Sequence, residues 1–285
     1  MPDAYTLHHP SGTVLPIVID SPHSGTRWPA DAEPALGPQR LREAEDAFVD
    51  QLYARAPALG AVLLKAEFAR AYIDPNRSLL DIDEALLDAP WPGPAEPSAK
   101  SELGIGLVWR LLDGQPLYTR RLTVKEVQHR IDTCWRPYHR ALQQQLEAAY
   151  RRFGARWHLD VHSMPDASYR LLGLPDRPLA DFVLGDRNGS TADEATMRVL
   201  EQSLRASGFS VARNDPFKGV EIVRLSGDPA RRCHAVQVEV KKSLYMDVAA
   251  HRPHAGFERV RQALERMLSA LADHVRQELT LQRER

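Results

Sequence analysis

Cysteine is scarce: the 285-residue chain has only Cys134 and Cys233, in unrelated contexts. That excludes a disulfide framework and a thiolate metal site, and leaves two inert, partly buried thiols. Long apolar runs are missing too, with no stretch approaching the roughly 20 residues that a bilayer span needs. The opening Met1-Pro2-Asp3-Ala4-Tyr5 lacks the basic-then-apolar pattern of an export signal, so a cytoplasmic location without a membrane partner is expected. Neither sign of charge dominates: 37 basic against 38 acidic residues give a formal net charge of -1. Such a chain has no global field for phosphate backbones, which argues against nucleic acid as its main partner. No Gly-rich phosphate loop occurs, and Ser21, Ser24 and Ser163 lack the small-residue elbow of a hydrolase nucleophile.

What is present, 43% hydrophobic and 26% charged residues, is the balance of an ordinary globular protein. Short β-branched runs alternate with amphipathic stretches. Leu15 to Asp20, Ala61 to Lys65, Ala69 to Ile73, Trp157 to His162, Phe182 to Leu184, Phe209 to Ala212, Gly219 to Leu225 and Ala235 to Lys241 read as strands. Helical stripes run through Leu41, Ala44, Phe48, Leu52 and Ala56, then from a Thr123/Glu126 capping box to Gly154 with a kink at Pro137. A Thr191/Glu194 capping box opens another helix, and Phe257 to Val275 stripe a last one. The pattern predicts an α/β fold with a mixed, largely parallel sheet and ligands at the carboxyl ends of strands. One domain over residues 1–285 is expected. The Pro-rich run Asp88 to Pro97 reads as an active-site or surface loop near 88–104, or else as a linker.

Four polar clusters fall at candidate strand ends: His23 in Ser-Pro-His-Ser-Gly, Arg77 in Asp-Pro-Asn-Arg-Ser, His162 in Asp-Val-His-Ser-Met, and Glu239 in Gln-Val-Glu-Val. Alternation puts His158, Asp160 and His162 on one strand face, where Asp160 could hold the second nitrogen of a metal-bound His162 ring. Two imidazoles and a carboxylate compose a catalytic zinc site. The acid is open among Glu43, Glu45, Asp46 and Asp50, or the helix carrying them is a solvated face. Glu239, opposite three valines, lies either on a solvated sheet face or in a polar cleft. Arg77 clamps a carboxylate or pairs with Asp81 or Asp83, and Arg70 has the same two readings.

In order, Ser21-Pro22-His23-Ser24-Gly25, Asp46, Arg70 with Ile73-Asp74-Pro75-Asn76-Arg77, Trp135-Arg136-Pro137-Tyr138-His139, Asp160-Val161-His162-Ser163-Met164-Pro165, Leu184-Gly185-Asp186-Arg187, Asn214-Asp215-Pro216-Phe217-Lys218-Gly219 and Glu239 with Leu244-Tyr245-Met246 resemble the N-formylglutamate amidohydrolase (deformylase) family. The resemblance spans residues 15 to 247. It implies a three-layer α/β/α sandwich like that of zinc carboxypeptidases. It also implies zinc, or another divalent transition metal, on His23, His162 and Asp46 as the preferred acid. By the same resemblance Glu239 is the general base, while Asn76 and Arg77, with Arg70 or Arg121, hold substrate carboxylates. The carboxypeptidase site has an acidic ligand three residues after its first histidine, where this chain has Thr26, so the acid cannot be assigned by that spacing. The activity implied is hydrolysis of N-formyl-L-glutamate, a small-molecule substrate, to formate and L-glutamate, in histidine degradation. The alternatives are a zinc amidohydrolase for another N-acyl amino acid and a non-catalytic metal- or carboxylate-binding protein.

Overall fold

The computed structural model describes residues 3–29 and 32–284. Seven strands form one sheet: β1 (Tyr5–His8), β2 (Ile17–Ser21), β3 (Val62–Ala66), β4 (Arg156–Met164), β5 (Phe182–Gly185), β6 (Val211–Arg213) and β7 (Cys233–Lys241), in spatial order β1-β3-β2-β4-β7-β5-β6. β2 runs parallel to β4, β4 to β7 and β5 to β6, whereas β5 is antiparallel to β7. The α/β class and the mixed, mostly parallel sheet expected from the sequence are thus what the chain forms. β7 is buried from Cys233 through Val240, and β4 from Trp157 onwards, which requires cover on both sheet faces.

The chain divides into two compact units, one of residues 1–6, 22–47 and 65–142, the other of 7–21, 48–64 and 143–285. The Pro-rich run lies wholly inside the first, as irregular, mostly exposed chain that leads into a single helical turn, Ala99–Glu102. The second unit contains most of the sheet and two amphipathic helices, Glu194–Ala206 and Gly256–Arg283. Val260, Leu264, Leu268, Leu271 and Val275 of the long helix, and Met197, Leu200 and Leu204 of the other, are buried at the helical period.

Several local expectations fail for identifiable reasons. Ala69 to Ile73 is a turn rather than a strand, closed by the Tyr72 and Ile73 amides donating to the Ala69 carbonyl at 3.0 and 3.4 Å. Gly219 to Leu225 is not a strand either: Glu221–Ser226 is a short helix, whose buried Ile222, Val223 and Ser226 sit three and four apart. A short β-branched run cannot be told from such a helix by pattern alone. The continuous helix through Leu41 and Ala56 breaks at Glu45 to Phe48, with Phe48 left-handed at φ 65°. The Thr123/Glu126 box is present, but Thr191 does not cap. Its hydroxyl donates to the Ala235 carbonyl at 2.8 Å, and Asp193 caps the helix by accepting from the Thr196 amide at 2.9 Å. At Pro137 the helix relieves its steric conflict by widening to a π turn over Ile131–Trp135 just before the proline.

Candidate metal centre and active site

The first unit builds a polar cluster around Asp74. The Ser-Pro-His-Ser-Gly loop leaves β2 and is pinned by the Arg27 amide donating to the Glu67 carbonyl at 3.0 Å. Gly25 makes that approach feasible, since a Cβ there would lie 2.3 Å from the Phe68 carbonyl oxygen. The break in the 41–56 helix has a use: the Asp46 amide leaves the helical ladder and donates to the His23 carbonyl at 3.0 Å. The Asp46 carboxylate then stands 3.2 Å from His23 Nδ1, both side chains buried. On the other side of the ring, Asp74 Oδ1 lies 2.7 Å from Nε2, which fixes the ring's orientation.

Asp74 is fully buried and also accepts from Arg70 Nη2 at 3.0 Å and from the Asn76 amide at 2.8 Å. Burial raises the pKa of its carboxyl, but the charges of His23, Arg77 and Arg70 outweigh burial and hold it well below the ordinary aspartate range. Arg70 Nη1 is 3.6 Å from Asp46, and its guanidinium lies over the Trp109 ring at 5.2 Å. Arg77, nearly buried, donates to the carbonyls of Ile105 at 3.3 Å and Asn76 at 3.0 Å, with Asp74 3.8 Å away. Burial lowers its pKa, partly offset by Asp74.

The Trp-Arg-Pro-Tyr-His block clamps this turn. The Trp135 indole donates to the Arg77 carbonyl at 3.1 Å, His139 Nε2 is 2.7 Å from the Pro75 carbonyl, and the two rings stack at 3.7 Å. Arg121 is exposed, its carbonyl accepting from Arg120. The further cation whose electrostatics involve Arg70 and Arg77 is Lys100.

In the second unit the parallel register sets His162 of β4 beside Glu239 of β7, and Asp160 beside Gln237, on one sheet face. His162 Nε2 and Asp160 Oδ1 are 2.7 Å apart. Glu239 is buried, not on a solvated face, and accepts from Gln237 Nε2 at 2.8 Å. The Tyr53 hydroxyl has its pKa pushed up, first by burial and then by the charge of Glu239. Deeper on the sheet, His158 Nε2 lies 2.8 Å from Asp20 and Nδ1 2.8 Å from Ser226 Oγ. That Asp-His-Ser relay is buried, and Ser226 Oγ donates to the Ile222 carbonyl at 2.8 Å, so it braces the fold.

His23, Asp46 and His162 each offer one ligand atom, and these atoms all lie within 4.8 Å of one another. Tetrahedral zinc with bonds of about 2.0–2.1 Å sets its ligand atoms roughly 3.3 Å apart. The donor set of two oriented imidazoles and one carboxylate, with 3.2 Å between His23 and Asp46, fits such an ion. Residue types and strand-end positions pointed to His23, His162 and Glu239, whereas Asp74 was legible only as a turn residue. Its signal in the sequence is an acid four positions after Arg70 and three before Arg77.

This combination of a mixed α/β sheet with an acid-histidine cluster and a buried arginine turn falls in the amidohydrolase class. The family model described as N-formylglutamate amidohydrolase matches residues 15–246, and the chain belongs to that family. It is 34% identical over 239 residues to the N-formylglutamate deformylase of Pseudomonas putida, covering 82% of each chain. With the Pseudomonas aeruginosa N-formylglutamate deformylase it shares 32% over 244 residues, 83% of this chain and 84% of that one. A crystal structure of N-formylglutamate amidohydrolase from Ralstonia eutropha JMP134 superposes with a TM-score of 0.95 at 47% identity, over 96% of this chain and 99% of the other.

Proposed function

We propose that this protein hydrolyses N-formyl-L-glutamate to formate and L-glutamate, with a divalent transition metal, zinc by expectation, held by His23, Asp46 and His162. The observation that carries the reading is the convergence of those three ligand atoms within 4.8 Å in a member of this family. Held by His23, Asp46 and His162, such an ion would supply Lewis acidity for activating a water and polarising the formyl group. Glu239 takes the proton of the attacking water and passes it to the leaving amide nitrogen. Asp74 and Asp160 orient the two histidines. Arg77, on its clamped turn beside Asn76, binds the α-carboxylate, with Arg70 holding Asp74 and Asp46 in place. Expected placement in histidine degradation belongs to the same proposal.

Formate release from N-formyl and other N-acyl amino acids, measured on wild type and Glu239→Gln, tests it. Wild type should favour N-formylglutamate. The variant should retain its metal and lose about 100-fold to 10,000-fold in rate. Turnover surviving exhaustive chelation contradicts the metal reading, and preference for another N-acyl amino acid replaces the substrate. A Glu239→Gln protein that loses metal and activity together makes Glu239 a ligand.

A further inference from the structure

Lys100 stands in the helical turn Ala99–Glu102 that follows the Pro-rich run, on a segment tied down from two sides. Asp81 accepts from the Ser98 amide at 2.7 Å, the Ser98 hydroxyl at 2.9 Å and the Ser101 hydroxyl at 2.6 Å. The Lys100 carbonyl accepts from the Ile105 amide at 2.8 Å, and the Ile105 carbonyl accepts from Arg77 Nε at 3.3 Å. The Asp74 amide donates to the Leu107 carbonyl at 2.7 Å. The backbone carrying Lys100 is therefore fastened to the turn that presents Arg77.

Its ammonium, half-buried, makes no hydrogen bond and no ion pair among the described residues. Burial lowers its pKa, and the charges of Arg77 and Arg70 lower it further, with Asp74 opposing them. The backbone ties place Lys100 on the segment that holds the Arg77 turn, where Asp74 already accepts from Arg70. A second observation points the same way: Trp109, under the Arg70 guanidinium, has a buried indole N–H with no acceptor among the described residues. A folded chain leaves a half-buried ammonium unpaired beside two guanidiniums at a cost to stability, and an anion with more than one negative charge would offset it.

We infer that Lys100 binds the second, side-chain carboxylate of a dicarboxylic substrate, while Arg77 takes the α-carboxylate, so that Lys100 sets the preference for glutamate. The assignment rests on the reading under Proposed function and names the group in that site that sees the γ-carboxylate. Nothing in the sequence marked it, because a lone lysine beside a Pro-rich loop is indistinguishable from a solvated one.

The test compares wild type, Lys100→Met and Lys100→Arg, metal-replete, on N-formylglutamate and on N-formylglutamine, whose side chain is neutral. For Lys100→Met the ratio of specificity constants between the two substrates should fall by about 10-fold to 100-fold. That lies between the small effect of an exposed ion pair and the larger one of a buried pair. The loss should sit mainly in KM, and Lys100→Arg should recover most of it. The melting temperature of Lys100→Met should equal or exceed that of wild type, because removing an unpaired, partly desolvated charge relieves repulsion. An unchanged substrate ratio, or an equal loss on both substrates, overturns the inference.

Calorimetric binding of glutarate and butyrate separates the two levels. If N-formylglutamate is not turned over but glutarate binds more tightly than butyrate in a Lys100-dependent manner, the function fails and the dicarboxylate site stands. If turnover is normal and Lys100→Met changes neither the ratio nor glutarate binding, the inference alone fails. Absence of both turnover and glutarate binding refutes both.

Discussion

Replacing Asp74 with asparagine should be the most informative single change outside the candidate ligands. The side chain is fully buried and near-isosteric with asparagine, so the substitution leaves shape intact and removes charge. Two contacts lose their charge assistance, the 2.7 Å approach to His23 Nε2 and the 3.0 Å bond from Arg70. The 2.8 Å bond from the Asn76 amide survives if the asparagine oxygen faces it, but then its NH2 group confronts the Arg70 guanidinium. Charge-assisted hydrogen bonds are worth about 1.5–3 kcal/mol each against about 1 for neutral ones, and stripping one partner from a buried pair costs roughly 3–5 kcal/mol. The expected loss is about 3 kcal/mol, a large part of the 5–15 kcal/mol typical of a folded domain.

Urea unfolding in the presence of a chelator measures that loss without the metal, as a midpoint lowered by roughly 1 M at a slope of about 3 kcal/mol per M. Metal titration of the folded variant measures the second consequence. An imidazole whose far nitrogen has lost its carboxylate should bind its ion about 10- to 100-fold more weakly. Arg70→Ala provides the control, because it relaxes Asp74 without removing the contact to His23. A variant within 0.5 kcal/mol of wild type and unchanged in metal affinity would show that Asp74 neither offsets the buried cations nor orients His23, and the reasoning would be wrong at its first step.

The sequence carried the sheet well because its strands are apolar runs of the right length bounded by turn residues. β2, β3, β4, β5 and β7 lie within about two residues of where alternation put them. It carried the site less evenly. His23, His162 and Glu239 sit at strand ends, where position alone is suggestive, but Asp46 was placed on a helix that does not exist there. Leu41, Ala44, Phe48, Leu52 and Ala56 satisfy helical spacing, yet the hydrogen bond that decides the matter, Asp46 amide to His23 carbonyl, joins residues 23 apart in sequence. Periodicity reports neighbours three and four positions away and is blind to such a bond. Lys100 left no signal in the sequence for the same reason: it stands on a single helical turn after the Pro-rich run, and only the long-range anchoring of 98–107 to Asp81 and Asp74 distinguishes it from a solvated lysine.

Two further outcomes bear on stability. Glu126 accepts from Arg120 at 2.6 and 3.0 Å and from the Thr123 amide at 2.7 Å, and these bonds, the Arg120 one first, lower its pKa to about 2. A folded pKa below the unfolded value of about 4.3 means stabilisation present above pH 4.3 and lost as pH falls towards 2. Glu126→Gln should therefore cost about 0.5–1 kcal/mol at pH 7, discounted because the pair is part-exposed, with the gap to wild type closing over that window; a gap independent of pH refutes it. Ser226→Ala decides whether the Asp20-His158-Ser226 relay is chemical or structural. Its members have the spacing of a nucleophile, base and orienting acid, but all three are buried and the serine hydroxyl is committed to the Ile222 carbonyl. A bracing role predicts a loss of about 1–3 kcal/mol from leaving His158 without that partner, and formate release per folded molecule within twofold of wild type. If instead turnover collapses while the urea midpoint stays put, Ser226 is a nucleophile and the metal-centred reading gives way.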